Sequence, residues 1–108
     1  MKTAAIYTYY SMQGSLLGQS ILQQLKFCTQ YAKLKDLEVV QTFIDCTSRA
    51  QLKKMLRAAR KHEWDCVIVY KLNRITRKTK LFEKIIEKFR KADVTVLSAT
   101  ENFGGTNS

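Results

Sequence analysis

Five consecutive apolar residues, Cys66-Val67-Ile68-Val69-Tyr70, stand between Asp65 and Lys71. An uninterrupted run of strand length has no solvent face, so it suits a central parallel strand covered on both sides. Parallel strands need helical crossovers, and the flanking sequence supplies them. Residues 4–10, Ala-Ala-Ile-Tyr-Thr-Tyr-Tyr, read as a first strand. Leu17, Ile21, Leu25, Cys28 and Ala32 then recur at helical spacing, giving one apolar stripe over about five turns. Residues 38–44 read as a second strand. Ser48 is the expected cap of a second helix that buries Leu52, Met55, Leu56 and Ala59. After the apolar run comes a basic loop, 71–78. Thr79 is the expected cap of a third helix with Phe82, Ile85, Ile86 and Phe89 on its face. Residues 94–98 read as a last strand, and residues 101–108 as an irregular tail. The order β-α-β-α-β-α-β predicts a three-layer α/β/α domain with a mainly parallel sheet of four to five strands and right-handed crossovers.

The chain has 108 residues, of which 45% are hydrophobic and none is proline. That suffices for one core and is too short for two ordinary domains. No window approaches the length of a membrane span, and the N-terminus lacks a signal-peptide core. Cys28, Cys46 and Cys66 are odd in number and share no close spacing, so they read as reduced thiols rather than a zinc or disulfide set.

Charge is concentrated in one segment. Between Arg49 and Lys91 fifteen basic residues stand against four acidic ones, whereas the rest of the chain has four against five. A polyanion partner, nucleic acid first, is the physical reading of such a footprint. A solubilising helix surface is the competing one.

In an open α/β sheet, ligands bind beyond the carboxyl ends of the strands. Ser11 follows the first strand, Asp45 and then Arg49 the second, Arg74 and Arg77 the third, and Glu101 the fourth. Arginine forks grip phosphate and keep their charge at working pH. A hydroxyl aimed at a phosphate so held is the minimal apparatus for phosphoryl transfer to serine. Other α/β chemistries lack their motifs: there is no GxGxxG and no GxxxxGK[ST]. A phospho-acceptor receiver would need acids where Ser11 and Asn73 stand. His62, the single histidine, closes the second helix among cations, which makes a Ser-His-Asp triad improbable.

Several stretches resemble the serine recombinases, the resolvase/invertase family. Ala5-Ile6-Tyr7-Thr8-Tyr9-Tyr10-Ser11 resembles the family's Y-x-R-x-S strand, and Ser20-Ile21-Leu22-Gln23-Gln24 its S-[IL]-x-x-Q. Phe43-Ile44-Asp45 and the helix from Arg49 to Leu56 resemble its second-strand Asp and R-x-x-L-x-x-[ML]-L. Asp65 to Arg77 resembles D-x-[VI]-[VI]-V-x-K-L-D-R-[LI]-[ST]-R, and Ser98 to Phe103 resembles S-x-x-E-x-[FI].

The resemblance implies a site-specific DNA recombinase catalytic domain on a resolvase-like, flavodoxin-like fold. Such domains serve DNA integration, excision or inversion, in the cytoplasm of a prokaryotic cell hosting a phage or mobile element. By carry-over Ser11 is the nucleophile that forms a 5′-phosphoserine link. Arg74, Arg77 and Arg49 hold the scissile phosphate, Asp45 orients an arginine or the surrounding loop, and Gln24 supports the loop. No metal or other cofactor is implied. DNA is the implied partner, with self-association into a dimer or tetramer. The family continues past this point into a dimerisation helix and a DNA-binding domain, neither of which is expected within residues 1–108.

The sequence also departs from the pattern. Tyr9 stands where the motif has arginine, Asn73 where it has aspartate, and Ser15 where glutamine is usual. Losing one pre-aimed cation at a transition state costs about 10²–10³ in rate. These departures predict impaired cleavage and leave open a non-catalytic nucleic-acid-binding or regulatory module on the same fold. A protein-interaction domain with a merely solubilising surface is the third reading.

Overall fold

The structure, a computed structural model, describes residues 1–10 and 21–101. Its elements follow in the order β1 (Lys2–Tyr10), α1 (Ile21–Leu34), β2 (Leu37–Cys46), α2 (Ala50–Arg60), β3 (Cys66–Val69), a short 3₁₀ turn (Leu72–Arg74), α3 (Thr79–Lys91) and β4 (Thr95–Ser98). The four strands form one sheet in the order β2-β1-β3-β4, and every pairing is parallel. This is the α/β fold the sequence predicts, with four strands among the described residues. Ser11, Ser15 and the start of the first helix at Leu17 lie outside the described residues, as does the tail from Asn102.

The period of two along β1 sorts its side chains into two cores. Ala4 and Ile6 face α1, together with Cys28, Ala32, Cys66 and Ile68. Ala5 and Tyr7 face α2 and α3, together with Leu52, Met55, Val67, Val69, Ile85 and Phe89. All four residues of β3 are buried, as an unbroken apolar run between two helical layers requires. Among the described residues, no helix is long and apolar enough to cross a membrane.

A β-bulge decides which way β2 faces. Ala4 pairs with Val39 but Ala5 pairs with Gln41, so Val40 has no partner in the register. From there Phe43 pairs with Tyr7 and Asp45 with Tyr9, on the side of α2 and α3. Without the extra residue every later side chain of β2 would point to the opposite face.

Two of the expected caps are corrected. The residue preceding α2 is Arg49, with no capping side-chain hydrogen bond. The α2 amides are taken instead by the Asp45 carboxylate: Gln51 N–H donates to Oδ1 at 2.9 Å and Leu52 N–H to Oδ2 at 3.0 Å. Asp45 reaches back from the buried face of β2, whereas the side chain of Ser48 makes no such bond. Thr79 is already inside α3, which follows Lys78. Upstream of it, Thr76 Oγ1 accepts from Lys78 N–H at 3.2 Å.

The helices exit without glycine. Asp36, His62 and Asp93, each just past a helix, hold φ of 56°, 52° and 60°. After α2 and α3, amide pairs close paired C-terminal loops: His62 to Ala59 O and Glu63 to Ala58 O, then Asp93 to Arg90 O and Val94 to Phe89 O.

Candidate active site

The strand order places a switch point at β1. The chain passes from β1 to β2 on one side and from β2 across to β3 on the other, with α1 on one face and α2 and α3 on the opposite face. Such a reversal opens a crevice beyond the carboxyl ends of the central strands. The residues at that rim are Tyr9, Asp45, Arg49 and the turn Leu72–Arg74.

Asp45 is 2% exposed and is the fixed point. Besides the two α2 amides, its Oδ2 accepts the Tyr7 hydroxyl at 2.8 Å. Tyr7 in turn accepts from Arg49 Nη1 at 3.1 Å, and the same nitrogen donates to the Arg74 carbonyl at 2.6 Å. Burial pushes the Tyr7 phenol far above its ordinary value. The Arg49 guanidinium opposes this, and the Asp45 carboxylate reinforces it. Tyr7 therefore stays protonated and passes the orientation set by Asp45 on to Arg49. The Tyr9 ring completes the seat, with its centroid 3.5 Å from the Arg49 guanidinium carbon.

Arg74 stands on the 3₁₀ turn. Its Nη1 donates to Asn73 Oδ1 at 3.2 Å, and its guanidinium lies 5.6 Å from the Tyr70 ring centroid. Arg74 Nε is buried and has no partner among the described residues. Burial, and then the charge of neighbouring Arg77, hold the Arg74 guanidinium below its ordinary value. The two guanidiniums repel one another, and an anion between them would relieve that repulsion. Arg77 itself is exposed.

Two side-chain contacts hold the rim, one from a buried residue and one from an exposed one. β3 ends at Val69, so the backbone of Tyr9 lacks a strand partner on that side. Gln24, fully buried on α1, replaces it: its Oε1 accepts from Tyr9 N–H at 3.1 Å and its Nε2 donates to Tyr9 O at 2.7 Å. On the other flank, Glu101 Oε1 accepts from Leu72 N–H at 2.7 Å and from Ser98 Oγ at 2.9 Å. Thr100 Oγ1 also donates to Tyr70 O at 2.7 Å. Glu101 thus anchors the arginine turn and touches no cation of the site in these contacts.

The structure brings Asp45, Arg49, Arg74 and Tyr9 together, with Arg77 near enough to be felt by Arg74. Gln24, Asn73 and Glu101 stand one contact behind. Ser11 lies outside the described residues, immediately after the Tyr10 end of β1. Sequence reasoning missed Tyr7 and Tyr70. Each reads as an ordinary strand aromatic, although Tyr7 shares the face of Tyr9 by the period of two, which was the available signal.

Comparisons with known proteins agree with this architecture. The family model described as Resolvase, N terminal domain, matches residues 4–108. The chain belongs to the resolvase family and carries its N-terminal, serine-recombinase catalytic-domain fold. The N-terminal catalytic domain of TP901-1 integrase is similar over 99% of this chain and 83% of that one, with 26% identity and a TM-score of 0.85. The C-terminal catalytic domain of ISC1926 TnpA, an IS607-like serine recombinase, is similar over 93% of this chain and 71% of that one, with 25% identity and a TM-score of 0.78. A resolvase family site-specific recombinase from Streptococcus pneumoniae shares the fold over 100% of this chain and 78% of that one, at 18% identity and a TM-score of 0.89. No curated protein matches the chain.

Proposed function

We propose that this domain cleaves and rejoins DNA strands through Ser11. Ser11 Oγ attacks the scissile phosphorus and forms an O–P bond as the bond from phosphorus to the 3′ oxygen breaks. The products are a 5′-phosphoserine link and a free 3′-hydroxyl, and the serine proton ends on the leaving oxygen. Attack by a 3′-hydroxyl reverses the step and rejoins the strands. Arg49, Arg74 and Arg77 bind the phosphate and stabilise its developing charge. Asp45 is a positioning residue that acts through Tyr7. In this reading DNA is the substrate, the domain self-associates when two sites are recombined, and it works in the cytoplasm of a cell carrying a mobile element.

The observation that carries the proposal is the Arg49 guanidinium bound to the backbone of the Arg74 turn at the switch point, with Arg74 Nε unpartnered among the described residues and the charge of Arg77 felt by Arg74. A suicide DNA half-site tests it. Wild-type chain should trap a covalent protein–DNA adduct, and Ser11→Ala should not. Absence of an adduct at high protein concentration would overturn the catalytic reading.

One observation favours a second reading, a nucleic-acid-binding module without cleavage. Tyr9 offers a ring face to Arg49 where the family motif carries a further cation, and Arg49 Nη1 is already engaged by Tyr7 and the Arg74 carbonyl. Salt-sensitive DNA binding without any adduct is the outcome that would select it.

A further inference from the structure

Helices α2 and α3 pack side by side and leave an open groove between them, with a volume of about 450 Å³. Its walls carry Lys53, Arg57 and Arg60 from α2 and Lys88 and Lys91 from α3, and no acidic residue lines it. The ion pairs found among the described residues, His62–Asp65 and Arg90–Glu87, include none of these five cations. The acidic residues of α3, Glu83 and Glu87, line a neighbouring depression to which Lys88 and Lys91 also belong, and Glu87 feels the charge of Lys91, whereas Lys53, Arg57 and Arg60 border the groove alone.

The groove is separate from the rim site. α2 begins at the rim, where Asp45 holds its first amides, and runs back against the strands. Arg60 is eleven residues beyond Arg49, roughly 16 Å along the helix axis. The α2 cations at positions 53, 57 and 60 repeat at four and three residues, so they form one row along the helix. Lys53 starts that row one turn from Arg49, and Lys53 N–H bonds to Arg49 O at 3.3 Å. The row therefore leads from the rim site toward the opposite end of the molecule.

We propose that the α2–α3 groove is a second nucleic-acid backbone site, holding DNA phosphates away from the position of cleavage. The choice of DNA as the polyanion rests on the proposed function. The groove's own chemistry favours a polyphosphate over an acidic helix. An amphipathic peptide helix needs a row of apolar anchor pockets, and the apolar residues lining this groove are Leu56 and Ala92. Two facing cation rows reward a linear polyanion by counterion release, and the two arginines add forked phosphate recognition. Holding the duplex at two places would also compensate for a weakened rim, because the second contact forms at high effective concentration.

The test measures anisotropy of a short labelled duplex of arbitrary sequence as salt is raised. One variant carries Arg57→Gln, Arg60→Gln, Lys88→Gln and Lys91→Gln. A control removes the same charge elsewhere, through Lys2→Gln, Lys26→Gln, Lys33→Gln and Lys35→Gln. The groove variant should bind more than about tenfold more weakly at low salt, with a salt slope flattened by about 0.9 for each lost phosphate contact. The control should keep most of the affinity and slope. Equal losses in both variants would overturn the proposal. So would displacement of the duplex by poly-glutamate as readily as by unlabelled duplex. Should the fourfold variant fail to fold by circular dichroism, the pair Arg57→Glu and Lys88→Glu gives the same readout. A missing Ser11 adduct with groove-dependent binding intact would remove the catalytic reading and leave this site standing, and the converse pattern would do the reverse.

Discussion

The guanidinium carbon of Arg49 lies 3.5 Å from the centre of the Tyr9 ring. In the family motif the Tyr9 position carries a cation, so two positive groups would share this space. Here one cation rests on an aromatic face. A cation–π contact of this kind contributes about 0.5–2 kcal/mol, depending on how far it is desolvated. The ring, not the hydroxyl, makes the contact. Tyr9→Phe should therefore leave the rate of Ser11 adduct formation within about twofold, whereas Tyr9→Leu should slow it by about 3–30-fold. Half-site trapping rates for the two variants check this, and equal rates in both would remove the ring from the account.

The Asp45 carboxylate accepts three hydrogen bonds inside the protein, from Tyr7 and from two α2 amides. Asp45→Asn keeps the volume but turns one acceptor oxygen into a donor that faces other donors. The expected loss is about 2–3 kcal/mol, read from the urea midpoint. Tyr7→Phe leaves the α2 amides bonded and removes the hydroxyl that joins Asp45 to Arg49, so it should cost about 1–2 kcal/mol. The two variants separate stability from orientation. Tyr7→Phe should lower the adduct rate at saturating DNA while leaving DNA affinity nearly unchanged.

Much of this site is legible in the sequence, and the rest is hidden for identifiable reasons. The alternation of strand and helix patterns alone puts residues 45, 49, 74 and 101 beyond the carboxyl ends of the strands, whereas Ser11 lies outside the described residues. The bulge at Val40 is not legible, because Glu38-Val39-Val40-Gln41 reads as continuous strand. Yet that bulge turns Asp45 toward α2. The capping role went to Ser48 by the ordinary preference for serine before a helix. Choosing Asp45 instead requires knowing that its side chain lies under the α2 amides. The glycine signal for helix ends also fails here, since Asp36, His62 and Asp93 take the left-handed conformation at the three exits. Tyr7 is easily passed over because a buried strand aromatic needs no explanation beyond packing, and only the face it shares with Tyr9 marks it.

At the opposite edge of the sheet, Asp65 ties the start of β3 to β1. Thr3 N–H donates to Asp65 Oδ2 at 2.8 Å, and the Thr3 hydroxyl and the His62 ring add bonds to the same carboxylate. The Thr3 amide, chiefly, holds this carboxyl below its ordinary value of 3.8. A depressed carboxylate stabilises the fold above its unfolded value. That contribution fades as pH falls through the lower, folded value. Asp65→Asn should therefore lower the melting temperature at neutral pH and flatten its decline below about pH 4. Melting curves across the acid range check this, and parallel acid limbs for variant and wild type would contradict the assignment.

Gln24 occupies a position that helical periodicity assigns to an apolar residue, between Ile21 and Cys28 on the buried face of α1. Its amide bonds to both polar groups of the Tyr9 backbone, where β3 has ended. Gln24→Leu would fit the apolar surroundings and leave the Tyr9 N–H and C=O without these partners. Unpaired buried groups cost about 1–3 kcal/mol each, and the gain in apolar burial offsets only part of that. The variant should lose about 2–4 kcal/mol of stability. Its distinctive signature is local. The Tyr9 amide should exchange with solvent far faster than the amides of Ile6 and Tyr7, which stay within the sheet. Gln24→Glu keeps the acceptor but turns the donor into an acceptor facing Tyr9 O, so it should protect the Tyr9 amide at acid pH and lose that protection as the new carboxyl ionises. Unchanged Tyr9 exchange in both variants would show that the end of β1 is held by something other than this amide.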